Sequence, residues 1–202
     1  MIKTIVHYSD LHLKLYKHHQ RDKNILKTAL NEWKKINPDR IVFTGDLVHS
    51  KNQMTPELIR LLSWWMTETA KICPNVYLIG NHDFLENNQD RLDAITPIVE
   101  NLNNPNITYY KDMGCYEDDN VLWCVYSLVQ ENEKPEISDT DKIKIGLFHG
   151  PIVGLKTDVG FQFEEGYNAE IFDGCDVVLA GDIHTDALEN SGCYHSIWAV
   201  PE

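Results

Sequence analysis

The sequence lacks the features that would place it in a membrane or outside the cell. No apolar run approaches the length needed to cross a bilayer. The apolar part of residues 1–6 is too short for a secretory signal and is typical of a first strand. The five cysteines are odd in number and show no Cys-x-x-Cys spacing, so we expect neither a disulfide framework nor a structural zinc site. These absences favour the reducing interior of a cell, and we expect a cytoplasmic location.

Basic charge is also scarce, with 18 Lys and Arg against 31 Asp and Glu and a formal net charge of −13. Such a balance excludes a protein that coats nucleic acid through a broad basic face. Any contact with nucleic acid would have to be local. The sequence also contains no internal repeat, low-complexity tract or linker, so we expect residues 1–202 to form one domain.

Apolar runs and helical spacing alternate along the chain. Helical periodicity predicts helices around residues 25–33 and 95–102, although Pro97 weakens the second. Thr55 followed by Pro56 is typical of a helix start. Short apolar runs predict strands over residues 4–8, 41–43, 76–79, 121–127, 143–148, 177–180 and 194–199. This pattern predicts an α/β layered domain around one or two sheets.

Polar side chains follow five of the predicted strands directly. Because the carboxyl ends of strands in α/β sheets meet at the ligand crevice, we expect these side chains to lie together. They are Asp10, His12, Asp46, Asn81, His149, Asp182 and His184, with His82 beside them. Carboxylate, amide and imidazole groups without a thiolate suit Mn, Fe, Zn or Mg. Asp46 stands centrally in the order and could bridge two ions through its two oxygens.

Each of these short motifs is weak evidence when it stands alone. A single Asp-x-His occurs often by chance, Gly-Asn-His-Asp can be an ordinary turn, and a histidine at a strand end is more often structural. Five such pieces in order, each after an apolar strand, are hard to reach by chance. The set as a whole therefore predicts a metal centre.

The order Asp-x-His, Gly-Asp, Gly-Asn-His-Asp, His and Gly-x-x-His resembles the motifs of the calcineurin-like metallophosphoesterase superfamily and extends from residue 10 to residue 184. The resemblance implies an α/β fold with a two-sheet β-sandwich flanked by helices in four layers (αββα). It also implies two divalent metal ions and hydrolysis of a phosphate ester by a hydroxide that bridges them. We expect Mn, with Mg, Fe and Zn as alternatives.

The same resemblance distributes the residues among roles. One ion would be held by Asp10, His12, Asp46 and His184, and the other by Asp46, Asn81, His149 and Asp182. His82 corresponds to the family's catalytic imidazole and Asp83 to its orienting partner. The chain departs from the family at Asp182, where a histidine is usual. A carboxylate there adds negative charge and hardness, which favours Mn or Mg.

A narrower similarity concerns the segment Gly-Asp-Leu-Val-His-Ser over residues 45–50, which looks like that of SbcD-type DNA repair nucleases. It implies DNA exonuclease or endonuclease activity, a role for His49 in placing the substrate, and an SbcC-type ATPase partner. The chain stops at Glu202, before the cap and the partner-binding segment of those proteins, so we expect a single domain without them.

Two other functions stay open. A phosphomonoesterase or cyclic-nucleotide phosphodiesterase of the same superfamily is favoured by the acidic charge. A non-enzymatic, metal-stabilised binding protein is also compatible with the fold, although the intact His82 and Asp83 speak against it.

One local basic segment could bear on the choice among these functions. Lys14, Lys17 and Arg21 follow the first metal motif and could contact a phosphate backbone, while Tyr16 could stack on a base. The alternative is a solvated loop that leads into a helix.

Overall fold

The computed structural model describes residues 1–14, 16–85, 88, 91–130, 133–154 and 162–182. The predicted ligand His184 and the predicted strand over residues 194–199 lie outside this range. The described residues form two four-stranded sheets. The strands are β1 (Ile5–Tyr8), β2 (Arg40–Thr44), β3 (Asn75–Leu78), β4 (Ile107–Tyr110), β5 (Gly114–Asp118), β6 (Val121–Tyr126), β7 (Ile143–His149) and β8 (Val177–Gly181).

Three α-helices connect the strands of the first sheet: α1 (His19–Ile36), α2 (Pro56–Ala70) and α3 (Thr96–Leu102). At the predicted start of α2, the Thr55 hydroxyl accepts a hydrogen bond from the Leu58 amide at 3.3 Å. Pro97 lies in the first turn of α3, where a missing N–H costs nothing, so it does not prevent the helix. Within the described ranges, none of the helices is long and apolar enough to cross a membrane.

Both sheets are mainly parallel. The first has the order β1-β2-β3-β4 with every pair parallel. The second has the order β5-β6-β7-β8, in which only the β5–β6 pair is antiparallel. Because the strands are parallel, the carboxyl ends of β1, β2 and β3 lie at the same end of the first sheet. Those of β7 and β8 likewise lie at the same end of the second sheet.

Apolar side chains hold the layers together. Val42 and Val76 of the first sheet share a buried cluster with Trp123, Leu147 and Leu179 of the second. Parallel strands buried on both faces need such continuous apolar runs. The opposite face of the first sheet packs on the helices. The buried aromatic and aliphatic residues there include Tyr8, Leu30, Trp33, Phe43, Leu62, Trp65 and Tyr77. The result is the two-sheet sandwich flanked by helices that the resemblance predicted.

Asp93 fixes the start of α3. Its carboxylate accepts hydrogen bonds from the Ile95 amide at 2.8 Å, the Thr96 amide at 2.7 Å and the Thr96 hydroxyl at 2.6 Å. The Lys111 ammonium lies 3.3 Å from the same carboxylate. Burial raises the pKa of Asp93, but these hydrogen bonds outweigh it and leave the pKa below its usual value.

We expect Asp93→Asn to lower the free energy of unfolding at pH 7 by about 1.5–3 kcal/mol, the range for hydrogen bonds to a charged group. A depressed folded pKa adds stability that is present above the unfolded pKa and is lost as pH falls through the folded pKa. The difference between wild type and variant should therefore narrow below about pH 4. Urea unfolding between pH 7 and pH 3 measures this difference in the free energy of unfolding, with Asp112→Asn at an exposed position as control. A difference that does not change with pH would contradict the role given to the Asp93 carboxylate.

Candidate metal centre

The loops after β1 and β2 continue side by side beyond the end of the sheet. The Asp10 amide donates to the Gly45 carbonyl at 3.0 Å, and the His12 amide donates to the Asp46 carbonyl at 3.0 Å. This pairing brings the first two predicted motifs into contact through their backbones. It explains why Asp10, His12 and Asp46 project into the same space.

Several of the predicted ligands have unusual backbone conformations. Asp10, His12, Asp46 and Asp182 have φ values of 56°, 42°, 64° and 65°. This left-handed region is uncommon for residues other than glycine, although Asp and His enter it more readily than most. Each such residue costs on the order of 1–3 kcal/mol, and such residues cluster at functional sites. The fold therefore maintains local strain to aim these side chains.

Two glycines permit the close approach of the loops. A Cβ atom on Gly80 would overlap both an Asp46 carboxylate oxygen and the Asp46 amide. A Cβ atom on Gly181 would lie 2.7 Å from His149 Nδ1 and would overlap the Thr44 carbonyl. Any side chain at either position would push a predicted ligand out of place, so these glycines have a physical reason to precede Asn81 and Asp182.

The predicted carboxylates meet around Asp46. One ligand atom from each of Asp10, Asp46, His149 and Asp182 lies within 4.8 Å of the others. Asp46 Oδ2 is 3.5 Å from His12 Nε2 and 3.4 Å from His149 Nε2. Asp46 and His149 are fully buried. A carboxylate that lies close to imidazoles supplied by both sheets would suit a ligand that bridges two ions.

Asn81 provides a test of whether the site fits a cation. The terminal amide atom of Asn81 that faces the site lies 3.1 Å from His149 Nε2. It also lies 3.1 Å and 3.2 Å from the two Asp46 oxygens. With the oxygen facing inward, the amide joins other acceptors, and a cation satisfies all of them. With the nitrogen facing inward, the amide donates to Asp46 instead. The first orientation makes Asn81 the predicted metal ligand.

The His149 ring is held with one nitrogen towards the carboxylates. Its Nδ1 is 2.6 Å from the Thr44 carbonyl. A carbonyl oxygen only accepts, so Nδ1 carries the hydrogen and Nε2 points at the carboxylates. Burial lowers the pKa of His149, but the hydrogen bond and charge of Asp46, with the charges of Asp10 and Asp182, raise it to about 10. The surrounding carboxylates thus favour positive charge at this position, as a metal site requires.

The structure gives Asp83 a different role from the one that the resemblance implies. The side chain is fully buried, and each carboxylate oxygen accepts two backbone N–H groups. The donors are Asp46 and Gly80 at 3.0 Å for Oδ2, and Leu47 at 3.0 Å and Val48 at 3.1 Å for Oδ1. Asp83 therefore shapes the loop that carries Asp46, rather than orienting the His82 ring.

We expect Asp83→Asn to be strongly destabilising, because the amide nitrogen would face two backbone N–H groups that need an acceptor. A loss of about 4 kcal/mol is consistent with unsatisfied buried groups at about 1–3 kcal/mol each. Burial and the charge of Asp46 raise the pKa of Asp83 to about 7, so urea unfolding should be compared at pH 8. Asp22→Asn, a buried carboxylate paired with Arg21, is the matched control. If both variants lost the same free energy of unfolding, Asp83 would not be the residue that holds the Asp46 loop.

His82 and His49 lie together at the open side of the site. His82 Nδ1 is 2.7 Å from the His49 carbonyl oxygen, and the His82 amide donates to Asp46 Oδ1 at 2.8 Å. The two rings are stacked, with centroids 5.8 Å apart. His82 is half-buried and His49 is exposed. The first thus contacts the metal ligands through its backbone, and the second faces the solvent from which a substrate would arrive.

Lys51 is a contributor that the sequence motifs did not reveal. Its ammonium donates to the Asn81 carbonyl at 2.8 Å and so ties the loop after β2 to the loop after β3. Lysine has no fixed place in the recognisable motifs, and only the folded loops bring it to Asn81. The remaining predicted ligand, His184, lies outside the described residues.

Comparisons with known proteins identify similar chains. A protein of Acanthamoeba polyphaga mimivirus described as uncharacterized is 35% identical over 198 residues, which cover 91% of this chain. The chain spans about 15% of that relative's length. A dimetal phosphatase from Danio rerio has a TM-score of 0.55 at 12% identity, with 96% of this chain and 87% of that chain covered, which shows a shared fold. The nuclease MPE from Pseudomonas putida has a TM-score of 0.38 at 14% identity over 74% of this chain and 61% of that chain.

A family model described as calcineurin-like phosphoesterase matches residues 3–186, which include every predicted ligand. The match extends over most of the chain and agrees with the clustered Asp and His side chains, which suggest two divalent ions. The chain therefore belongs to the calcineurin-like phosphoesterase family of metal-dependent ester hydrolases.

Proposed function

We propose that this domain is a manganese-dependent phosphodiesterase that cuts DNA, as nucleases of the SbcD type do. One observation carries the proposal. The exposed His49 ring stacks on His82 at the open side of the metal ligands, so a second imidazole is available to the substrate beside the expected proton donor. His49 belongs to the segment over residues 45–50 that resembles the nuclease subunits.

The chain's own residues support a phosphodiester reaction. When bound, two divalent ions supply the Lewis acidity that activates water and offsets charge on the phosphoryl oxygens. His82 is placed to deliver a proton from Nε2 to the leaving alkoxide, because its Nδ1–H is used by the His49 carbonyl. Asp46 and Asp10 are buried and would hold the ions away from bulk solvent. The additional carboxylate of Asp182 supports manganese over softer ions.

The rim of the site supports a charged, extended substrate. Lys14 lies close enough to His49 to help lower the pKa of that ring, after the larger effect of partial burial. Lys17 and Arg21 are exposed beyond it, and Tyr16 is 69% exposed. An exposed tyrosine among lysines suits a single strand whose bases can stack. On a chain of net charge −13, this rim would act locally.

A panel of substrates tests the proposal. Purified protein with Mn should be assayed on single-stranded DNA, duplex DNA, bis-p-nitrophenyl phosphate and p-nitrophenyl phosphate. We expect DNA and the diester to be hydrolysed faster than the monoester. His49→Ala should reduce DNA cleavage by at least about tenfold, as expected when one group that positions substrate is removed, and should affect the small diester less.

Charge reversal on the rim provides a matched comparison. Lys14→Glu with Lys17→Glu should weaken DNA binding. The salt dependence of binding should fall by about 0.7–0.9 in the logarithmic slope for each DNA phosphate that the variant no longer neutralises. Lys34→Glu with Lys35→Glu makes the same charge change in the last turn of α1, about 25 Å away at 1.5 Å per residue. Equal effects of the two pairs would contradict a DNA-binding rim.

A phosphomonoesterase is the second candidate, favoured by the acidic net charge and by the structural likeness to a dimetal phosphatase. Faster turnover of the monoester than of DNA, with no effect of the rim variants, would establish it over the nuclease.

A further inference from the structure

Three cysteines lie side by side on the face of the second sheet that points away from the first. Cys115 of β5 stands directly opposite Cys124 of β6. On its other side, Cys124 stands opposite Gly146 of β7. Gly146 leaves open the space that a side chain would take, and Cys175 Sγ lies 3.3 Å from the position of its missing Cβ atom. The three cysteine side chains thus follow one another across the sheet, within the apolar cluster of its outer face.

Hydrogen bonds connect the sulfur of Cys175 to β6. The Tyr126 hydroxyl lies 3.6 Å from Cys175 Sγ. Tyr126 and Cys124 are two residues apart on one strand and so share a face. The Cys124 thiol makes a hydrogen bond with the same sulfur. Cys115 also contacts Cys124, but its own S–H donates to the Glu136 carbonyl at 3.5 Å. Cys124 and Cys175 are therefore the better placed pair for a bond between sulfur atoms.

The two sulfurs of this pair differ in reactivity. Hydrogen bonds with Cys124 and Tyr126 lower the pKa of Cys175, and they outweigh its burial. Of the charges that act on it, Asp176 raises this pKa and Lys144 lowers it. The pKa of Cys124 is raised instead, by its hydrogen bond to Cys175 and by burial. Because the thiolate is the nucleophilic form, the half-buried Cys175 is the residue that a small oxidant reaches, with a protonated thiol beside it.

We propose that Cys175 and Cys124 are a modification site at which hydrogen peroxide forms a reversible disulfide. The Cys175 sulfur attacks one peroxide oxygen, the O–O bond breaks, and a sulfenic acid and hydroxide form. The Cys124 sulfur then attacks the Cys175 sulfur. The S–O bond breaks, and the departing hydroxide takes the proton of the Cys124 thiol. Two thiols and one peroxide thus give one disulfide and two water molecules.

The disulfide would fasten β6 to the turn before β8. Cys175 precedes β8 (Val177–Gly181), whereas the predicted ligand Asp182 follows the other end of that strand. The proposed metal ligands and proton donor take no part in the sulfur chemistry, so the site is independent of the proposed phosphodiesterase reaction. In a reducing compartment, disulfides are usually transient and redox-sensing, so a dithiol should reverse this one.

Peptide mapping of the wild-type protein locates the bond. Protein is treated with hydrogen peroxide, its free thiols are blocked, and it is digested with trypsin and an endoproteinase that cuts after Glu. Cleavage after Glu117 and Glu189, together with the cuts between them, places the four cysteines of residues 115–193 on separate peptides. We expect the Cys124 and Cys175 peptides to be linked within one chain, with the loss of two hydrogens, and to be separated again by dithiothreitol.

Serine variants test the order of the two steps. In Cys124→Ser the hydroxyl can still donate a hydrogen bond but cannot form a disulfide, so Cys175 should stop at the sulfenic acid, which dimedone labels. In Cys175→Ser, Cys124 should react with peroxide at least about tenfold more slowly than Cys175 does, the effect of one pKa unit on the thiolate fraction. Cys73→Ser is the matched control, because burial raises the pKa of Cys73 to about 11 in another core cluster. It should form the disulfide as wild type does.

The wild-type map needs no substitution, so it decides the pairing even where a variant does not fold. The proposal fails if peroxide forms no disulfide, or if the disulfide joins another pair of cysteines or two chains. It fails equally if Cys175 in the Cys124→Ser variant takes up no dimedone, or if Cys124 in the Cys175→Ser variant reacts as fast as Cys175 does.

Discussion

Asp46→Asn is expected to weaken binding of both metal ions by more than about 100-fold, because even partners one step removed from a metal cost 10–100-fold. The substitution keeps the volume of the side chain. It replaces one oxygen of the central carboxylate by an NH₂ group, which cannot ligate, and removes a negative charge. Because the His82 amide needs an oxygen acceptor at the Oδ1 position, the NH₂ group would take the place of Oδ2, which lies within 3.5 Å of both His12 and His149, and both ions would lose a ligand. Activity should fall with metal content.

Asp10→Asn is the matched comparison for this prediction. Asp10 is also buried, but it is expected to hold only one of the two ions. Manganese titration of both variants by calorimetry separates the two roles. Asp10→Asn should weaken one binding event and leave the other, whereas Asp46→Asn should weaken both. If Asp46→Asn loses no more affinity for manganese than Asp10→Asn does, Asp46 does not bridge the two ions.

His82→Ala is expected to act on chemistry and not on metal binding. Loss of a general acid lowers kcat by roughly 10²–10⁴-fold. The backbone amide of His82 donates to Asp46 Oδ1 at 2.8 Å and is kept in the alanine variant, whereas the His82 ring packs edge-on against His12 and is not one of the predicted ligands. Metal content should therefore match that of wild type, as elemental analysis would show.

The leaving group supplies an internal control for His82. An alkoxide leaving from DNA needs a proton, whereas p-nitrophenolate leaves readily without one. The loss of kcat in His82→Ala should thus be large for DNA and much smaller for bis-p-nitrophenyl phosphate. Equal losses on the two substrates would assign His82 to structure or binding.

The sequence predicted the parts of the fold that bury long apolar runs. The core strands β1, β2, β3, β6, β7 and β8 lie within one or two residues of their predicted positions. The strands β4 and β5 were not predicted. Most positions of both strands are half-buried or exposed, and β5 (Gly114–Asp118) carries Glu117 and Asp118. A strand with few fully buried positions needs no apolar run, so the hydrophobic pattern does not reveal it.

The sequence predicted those residues of the candidate site that lie at or just after the end of a parallel strand. Asp10, Asp46, His149 and Asp182 meet as expected, because parallel strands deliver their ends to one edge. The role of Asp83 could not be predicted from its position beside His82. It depends on the approach of the loop over residues 46–48, which only the folded backbone establishes. The link between Lys51 and Asn81 is equally a product of tertiary contact.

The number of manganese ions that the chain binds tests the central claim most directly. Metal-free protein titrated with Mn²⁺, followed by calorimetry and checked by elemental analysis, should take up two ions per chain, and phosphodiester hydrolysis should appear with the second. Binding of a single ion with full activity, or activity in metal-free protein, would contradict a centre in which Asp46 joins two ions.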